Sequence, residues 1–133
     1  MFGPAGVAYV YFTYGMHHCM NAVCGAEGHA GAVLLRALEP LWGLASMRDG
    51  APGSLSDDKL ASGPGRICRA LGVDKRLNGA DLTASTLRIL PATSAVRGIR
   101  TTTRIGLSND DERAWRFFVE SASVSGGSRR LGS

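Results

Sequence analysis

An α+β fold in a single domain, with strands gathered into an antiparallel sheet and short helices beside it, is what this sequence predicts. Three observations lead there. The chain has 133 residues and 14.0 kDa, room for one core. Its β-branched and aromatic residues fall in short runs between turn signals, and glycine and proline bracket two brief helical stretches. With 44% apolar residues and mean hydropathy of +0.01 the composition is that of a folded protein, and 18 glycines speak for tight turns rather than long helices.

Residues 7–14, Val-Ala-Tyr-Val-Tyr-Phe-Thr-Tyr, read as a strand with Tyr9, Tyr11 and Thr13 on one face and Val10, Phe12 and Tyr14 on the other. Gly15-Met16 makes the turn, and a second strand through Cys19 to Val23 completes a hairpin. After a loop over Gly25 to Gly31, the apolar run Ala32 to Leu38 is expected as a buried third strand of the same sheet. Pro40, which lacks an amide, suits a first helical position, so a helix is expected from Pro40 to Arg48 with Glu39 near its positive end. Asp49 to Asp58 is a loop. Gly63-Pro64-Gly65 opens a second helix through Leu71, which Gly72 ends. Asn78-Gly79 is a further turn, Leu87 to Leu90, Arg104 to Leu107 and Trp115 to Val119 are expected strands, and residues 126–133 form a frayed basic tail beyond a domain of residues 1–125.

The formal charge is +4 and the pI about 9.3, and arginine supplies nearly all of the positive charge, since only Lys59 and Lys75 of fifteen basic residues are lysine. Arginine grips phosphate through paired donors, so the bias favours an anionic partner such as nucleic acid; high genomic GC content would produce it too. No apolar run reaches the roughly 18 residues that span a bilayer, and the odd count of Cys19, Cys24 and Cys68 suits a reducing compartment, so a cytoplasmic home is expected.

Candidate chemistry is concentrated early. His17, His18, Cys19, Cys24 and His29 are all possible zinc ligands, but the four residues between the cysteines are not a zinc knuckle, and core thiols with surface imidazoles explain them better. Nothing in the sequence would depress the pKa of Cys19 for nucleophilic attack. Gly63-Pro64-Gly65-Arg66 could offer backbone amides to a phosphate, although a simple capped helix accounts for it as well. Arg36 is the sharper oddity, because it interrupts the apolar "AVLLRAL": unless it stands at the sheet rim, a buried guanidinium there needs an acid from elsewhere or a functional pocket.

The run "MFGPAGVAYVYFTYGMHHCMN", followed by "AVLLRALEPL", "GPGRICRALGV", "NGADL" and "TRIGLSNDDERAWRFFV", resembles the alkyladenine (3-methyladenine) DNA glycosylase family in order and spacing, from Met1 to about Val124. The resemblance implies a curved antiparallel sheet with flanking helices and a protruding hairpin. It implies a monomeric enzyme, associated with the nucleoid in a bacterium, that flips a damaged purine out of double-stranded DNA and lets water displace it, without metal or organic cofactor. The hairpin would enter the minor groove, with Tyr14 wedged into the vacated stack and Met16 and His17 beside it. Tyr11 would stack on the flipped base, Asn21 would crowd the amino group of a normal guanine, and Cys19 and Leu34 would line the pocket. Arg36 and the Ile105 carbonyl would hold the attacking water.

One departure matters. The family's catalytic glutamate lies in a motif like V-E-T-E-A-Y upstream of the matched segment, and a base-contacting tyrosine and histidine follow it; none of these occurs here. The expectation is therefore a C-terminal two-thirds fragment lacking the family's N-terminal part, impaired in catalysis, with a non-catalytic DNA-binding module or a non-functional gene fragment as the alternatives.

Overall fold

The computed structural model describes residues 3–13, 15–26, 28, 31–104 and 113–124. Tyr14, Ile105, His29 and the basic tail lie outside the described residues, so the roles expected of them do too.

Strands β1 (Ala8–Thr13), β2 (His17–Val23) and β3 (Ala32–Leu34) form one antiparallel sheet in the order β1-β2-β3. The hairpin is the expected one, with the second strand beginning two residues early at His17 and the Met16 amide closing the turn on the Thr13 carbonyl. Alternation along β1 and β2 sends Ala8, Val10 and Met20 to one side, where they form a core with Ile67, Cys68, Val73 and Leu82. Helix α2 (Pro64–Leu71) supplies Ile67 and Cys68 to that core, starts at Pro64, and ends at the left-handed Gly72, whose amide bonds the Arg69 and Cys68 carbonyls. Both ends stand where the glycine and proline signals put them.

The free edge of β1 is closed by residues 78–82. The Ala8 amide donates to the Ala80 carbonyl, Gly79 returns a bond to Ala8, and the Asn78 side-chain oxygen accepts from the Val10 amide at 2.9 Å. The Asn78-Gly79 turn thus serves as a clasp.

Several expectations are corrected. The third strand stops at Leu34 and is not buried; Val33 is 55% exposed, because β3 is an edge strand. Only the Leu35 amide still bonds to β2, at Met20, before Ala37 turns aside to bridge Ser62. Arg36 therefore sits exposed between the sheet and that bridge, not buried within a strand. The first helix, α1, runs only from Leu44 to Arg48, since Gly43 has φ 76°, a left-handed backbone that a right-handed helix cannot contain. Leu87 to Leu90 forms no strand; Ile89 and Leu90 are 54% and 72% exposed with no neighbouring strand to pair with among the described residues. Arg104 is not in a strand either, and residues 105–107 are outside the described set. The late strand is β5 (Arg116–Phe118), shorter than expected, and it pairs with β4 (Arg100–Thr102), which the sequence did not advertise.

Candidate functional site

The site is built from the second face of the three-stranded sheet. Register places Tyr9 opposite Asn21, Tyr11 opposite Cys19 and Thr13 opposite His17, and it places Asn21 opposite Leu34 on β3. Since successive side chains alternate, Tyr9, Tyr11, Cys19, Asn21 and Leu34 share the face opposite to the core residues Ala8, Val10 and Met20, while His17, at the tip, turns to α2. Directly opposed residues have Cβ atoms about 4.5–5.5 Å apart, so Tyr11, Cys19, Asn21 and Leu34 are neighbours across three strands. The family resemblance implied one place for them, and the strand pairing makes them neighbours.

Two of the four are well covered: Cys19 and Asn21 are each 7% exposed, whereas Tyr11 keeps about a third of its surface open. The Tyr9 and Tyr11 rings lie 5.4 Å apart at 36°, and the Asn21 side-chain amide donates to the Tyr9 carbonyl at 3.3 Å. Tyr9 thus braces the exposed ring through its side chain and aims the asparagine through its backbone. The sequence offered the signal for this, two tyrosines at strand spacing, but the link to Asn21 depends on register.

At the hairpin tip Met16 is 74% exposed and His17 is exposed beside it. The His17 ring rests against α2 so closely that a Cβ on Gly65 would stand 2.9 Å from its Cγ and Nδ1. Only glycine admits that approach. Between the hairpin and the start of α2 opens a hollow of about 680 Å³ whose walls include Met16, His17, Ser62, Gly65, Arg66 and Arg69. It is separate from the Tyr11 face and contains none of Tyr11, Cys19, Asn21, Leu34 or Arg36.

Arg36 follows Leu34 by two residues but lies beyond the strand, and among the described residues it makes no ion pair. The sheet brings Tyr11, Cys19, Asn21 and Leu34 together; it does not by itself bring Arg36 to them. Strands β1, β2 and β3 carry no carboxylate, so no carboxylate base stands on this face among them. Thiol chemistry finds no support at Cys68, whose pKa burial and then the nearby Cys19 thiol push up to about 11, leaving it un-ionised at neutral pH. The face can therefore stack a planar group, pack around it and present a fixed amide to its edge.

Comparison with known proteins meets this geometry. A protein of Carboxydothermus hydrogenoformans, provisionally named a 3-methyladenine DNA glycosylase, is 44% identical over 122 residues, covering 90% of this chain and 63% of its own length. Proteins of the same name from Streptomyces avermitilis and Rubrobacter xylanophilus are each 46% identical, over 90% and 98% of this chain and 59% and 68% of their own lengths. The chain thus spans about three fifths to two thirds of the relatives it matches. Residues 1–123 match the family model of methylpurine-DNA glycosylases, and with the tyrosine-bearing hairpin and its asparagine in place the chain belongs to that family.

Proposed function

We propose that this chain forms the base-recognising part of an enzyme that removes alkylated or deaminated purines from duplex DNA by flipping the damaged nucleotide. The observation that carries the reading is the common face of Tyr11, Cys19, Asn21 and Leu34 beside an exposed hairpin tip, in a chain of this family. In this reading the tip, with Tyr14, Met16 and His17, enters the minor groove and fills the gap left by the extruded base. Unstacking costs a few kcal/mol per step, and an inserted side chain offsets part of it.

The flipped purine lies on Tyr11. A flat electron-poor base stacks on a phenol ring whatever its substituents, so the contact is broad in the lesions it accepts. Asn21, held by the Tyr9 carbonyl, cannot swing away from the base edge, and the rigid amide turns a 2-amino group into a clash. Water then attacks the sugar carbon and releases a proton to solvent, while the glycosidic bond breaks and the purine departs with the bonding pair. Arg36 and the Ile105 carbonyl serve to hold that water, with no metal involved. The protein acts as a monomer.

A second reading has its own support: the three site strands lack a carboxylate, which suits a DNA-binding module that performs no chemistry. Loss of a general base lowers the rate by about 100- to 10,000-fold. Base release from a duplex bearing hypoxanthine or 3-methyladenine, measured beside a binding titration, separates the two. Slow release together with preference for the lesion duplex supports the impaired enzyme; binding with no release supports the module; absence of lesion preference defeats both. Tyr11→Ala should cut the preference for lesion over intact duplex by roughly 1–3 kcal/mol, the worth of one stacked base.

A further inference from the structure

We propose that the hollow between the hairpin and the start of α2 seats a phosphodiester of the DNA backbone. This rests on the DNA reading above and gives it a second point of contact, away from the Tyr11 face.

The helix start is left open by its sequence. Pro64 has no amide, Gly63 has no side chain with which to cap, and the first helical bond runs from the Ile67 amide to the Gly63 carbonyl at 2.9 Å. The Gly65 and Arg66 amides therefore point out of the first turn at the positive end of the helix dipole. Beside them stands Ser62, 3% exposed and part of the hollow's wall, whose hydroxyl has no hydrogen-bond partner among the described residues. Buried hydroxyls are nearly always paired, so an orphan at an open helix start marks the place of an absent acceptor.

Charge agrees with that assignment. Arg66 and Arg69, both exposed, are three residues apart and so lie on one side of α2, facing the hollow. One Arg66 nitrogen donates to the Ser62 carbonyl at 3.4 Å, which draws the guanidinium toward the orphan hydroxyl and leaves its other donors for an anion. His17 and His18 form the hairpin side of the wall. An acid that approaches His18, Asp74, is gripped through both oxygens by Arg76.

The ligand is a backbone phosphate rather than a free one because of where the hollow stands. The minor groove is about 6 Å wide, so a hairpin tip that enters it has a sugar-phosphate strand along each flank. The hollow is on the flank of this hairpin, and the contact of His17 with Gly65 fixes the distance between them.

The test uses the full chain labelled with nitrogen-15 and three probes: dimethyl phosphate, inorganic phosphate and an unmodified duplex. The Gly65 and Arg66 amide resonances should move with dimethyl phosphate and with duplex. Ser62→Ala should abolish most of that response while the melting temperature stays level or rises, since it removes an unpaired group. Arg66→Gln should reduce the slope of log affinity for duplex against log salt by about 0.9, the share of one phosphate. Duplex binding with still amides and an unchanged slope would overturn the seat and leave the DNA reading standing. Response to inorganic phosphate alone would overturn it as well. A response to dimethyl phosphate without any duplex binding would overturn the assignment to the DNA backbone and bring down the glycosylase reading with it.

Discussion

The β1–β3 sheet with α2 and the β4–β5 ribbon are both antiparallel, yet they are held by different forces. In the first, Ile67 and Leu60 are wholly buried, and Ala8, Val10 and Met20 close over α2 in an apolar core. In the second, Phe117 and Trp115 are more than half exposed and order comes from arginine. The Arg113 guanidinium lies 3.8 Å from the Trp115 ring centre, and Arg116 lies 4.3 Å from that of Phe118. Arg116, itself buried, donates to the Thr102 hydroxyl across the strands at 3.3 Å, and Arg100 meets Glu120 at 3.4 Å. Packing specifies the body, whereas cation and ring contacts specify the ribbon, which as a two-stranded unit is marginal without further support. The Tyr11 face rides on the better-held of the two.

That contrast can be broken most directly at Ile67. Ile67→Ala should cost about 2–5 kcal/mol, read as a fall in the urea midpoint, because it opens a cavity in the only dense part of the molecule described. An unchanged midpoint would mean that the core does not set stability. Gly65→Ala comes next, at about 1–3 kcal/mol, since its new methyl meets the His17 ring. Adding His17→Ala should restore most of the loss, and additive effects in that double-mutant cycle would dissolve the contact.

Arg116→Met sharpens the comparison from the other side. It should cost about 1 kcal/mol and act locally: amide exchange at residues 100–102 and 116–118 quickens while the urea midpoint of the body hardly moves. A global loss as large as that of Ile67→Ala would erase the distinction between the regions. The smallest effect concerns pH. The Arg76 side chain, with its amide, hydrogen-bonds Asp74 and lowers the carboxyl pKa from 3.8 to about 2. A depressed carboxylate lends stability that is present above the unfolded value and lost as pH falls through the folded one, so the loss develops between 3.8 and about 2. Asp74→Asn should flatten the melting temperature over that window, slightly, because the pair is exposed to solvent.

The hairpin and α2 were legible because local signals and tertiary demands agree there. The β-branched and aromatic alternation of residues 8–13 is also the core-facing pattern, and the Pro64 start and Gly72 stop need no distant partner. Arg36 was misplaced for a physical reason: "AVLLRAL" reads as a buried strand, but burial depends on what lies beyond β3, and a run of letters cannot say that its strand is at an edge. Pro40 misled similarly, since its helix signal is cut off by the backbone of Gly43. Strand β4 was invisible because Arg-Thr-Thr has no apolar alternation and owes its form to pairing with β5. At the site, strand alternation was enough to put Tyr9 and Tyr11 on one face, and the resemblance grouped Tyr11 with Cys19 and Asn21, while the bond from Asn21 to Tyr9 required the register.

The clasp at residues 78–82 gives the sheet a direction. One margin spends its amides on a turn of its own chain, including a side-chain oxygen that no incoming strand could displace without unmaking the turn. The other margin, β3, meets no further strand among the described residues. The open border for a segment that extends this sheet is therefore β3, next to Leu34 and on the far side from Tyr11.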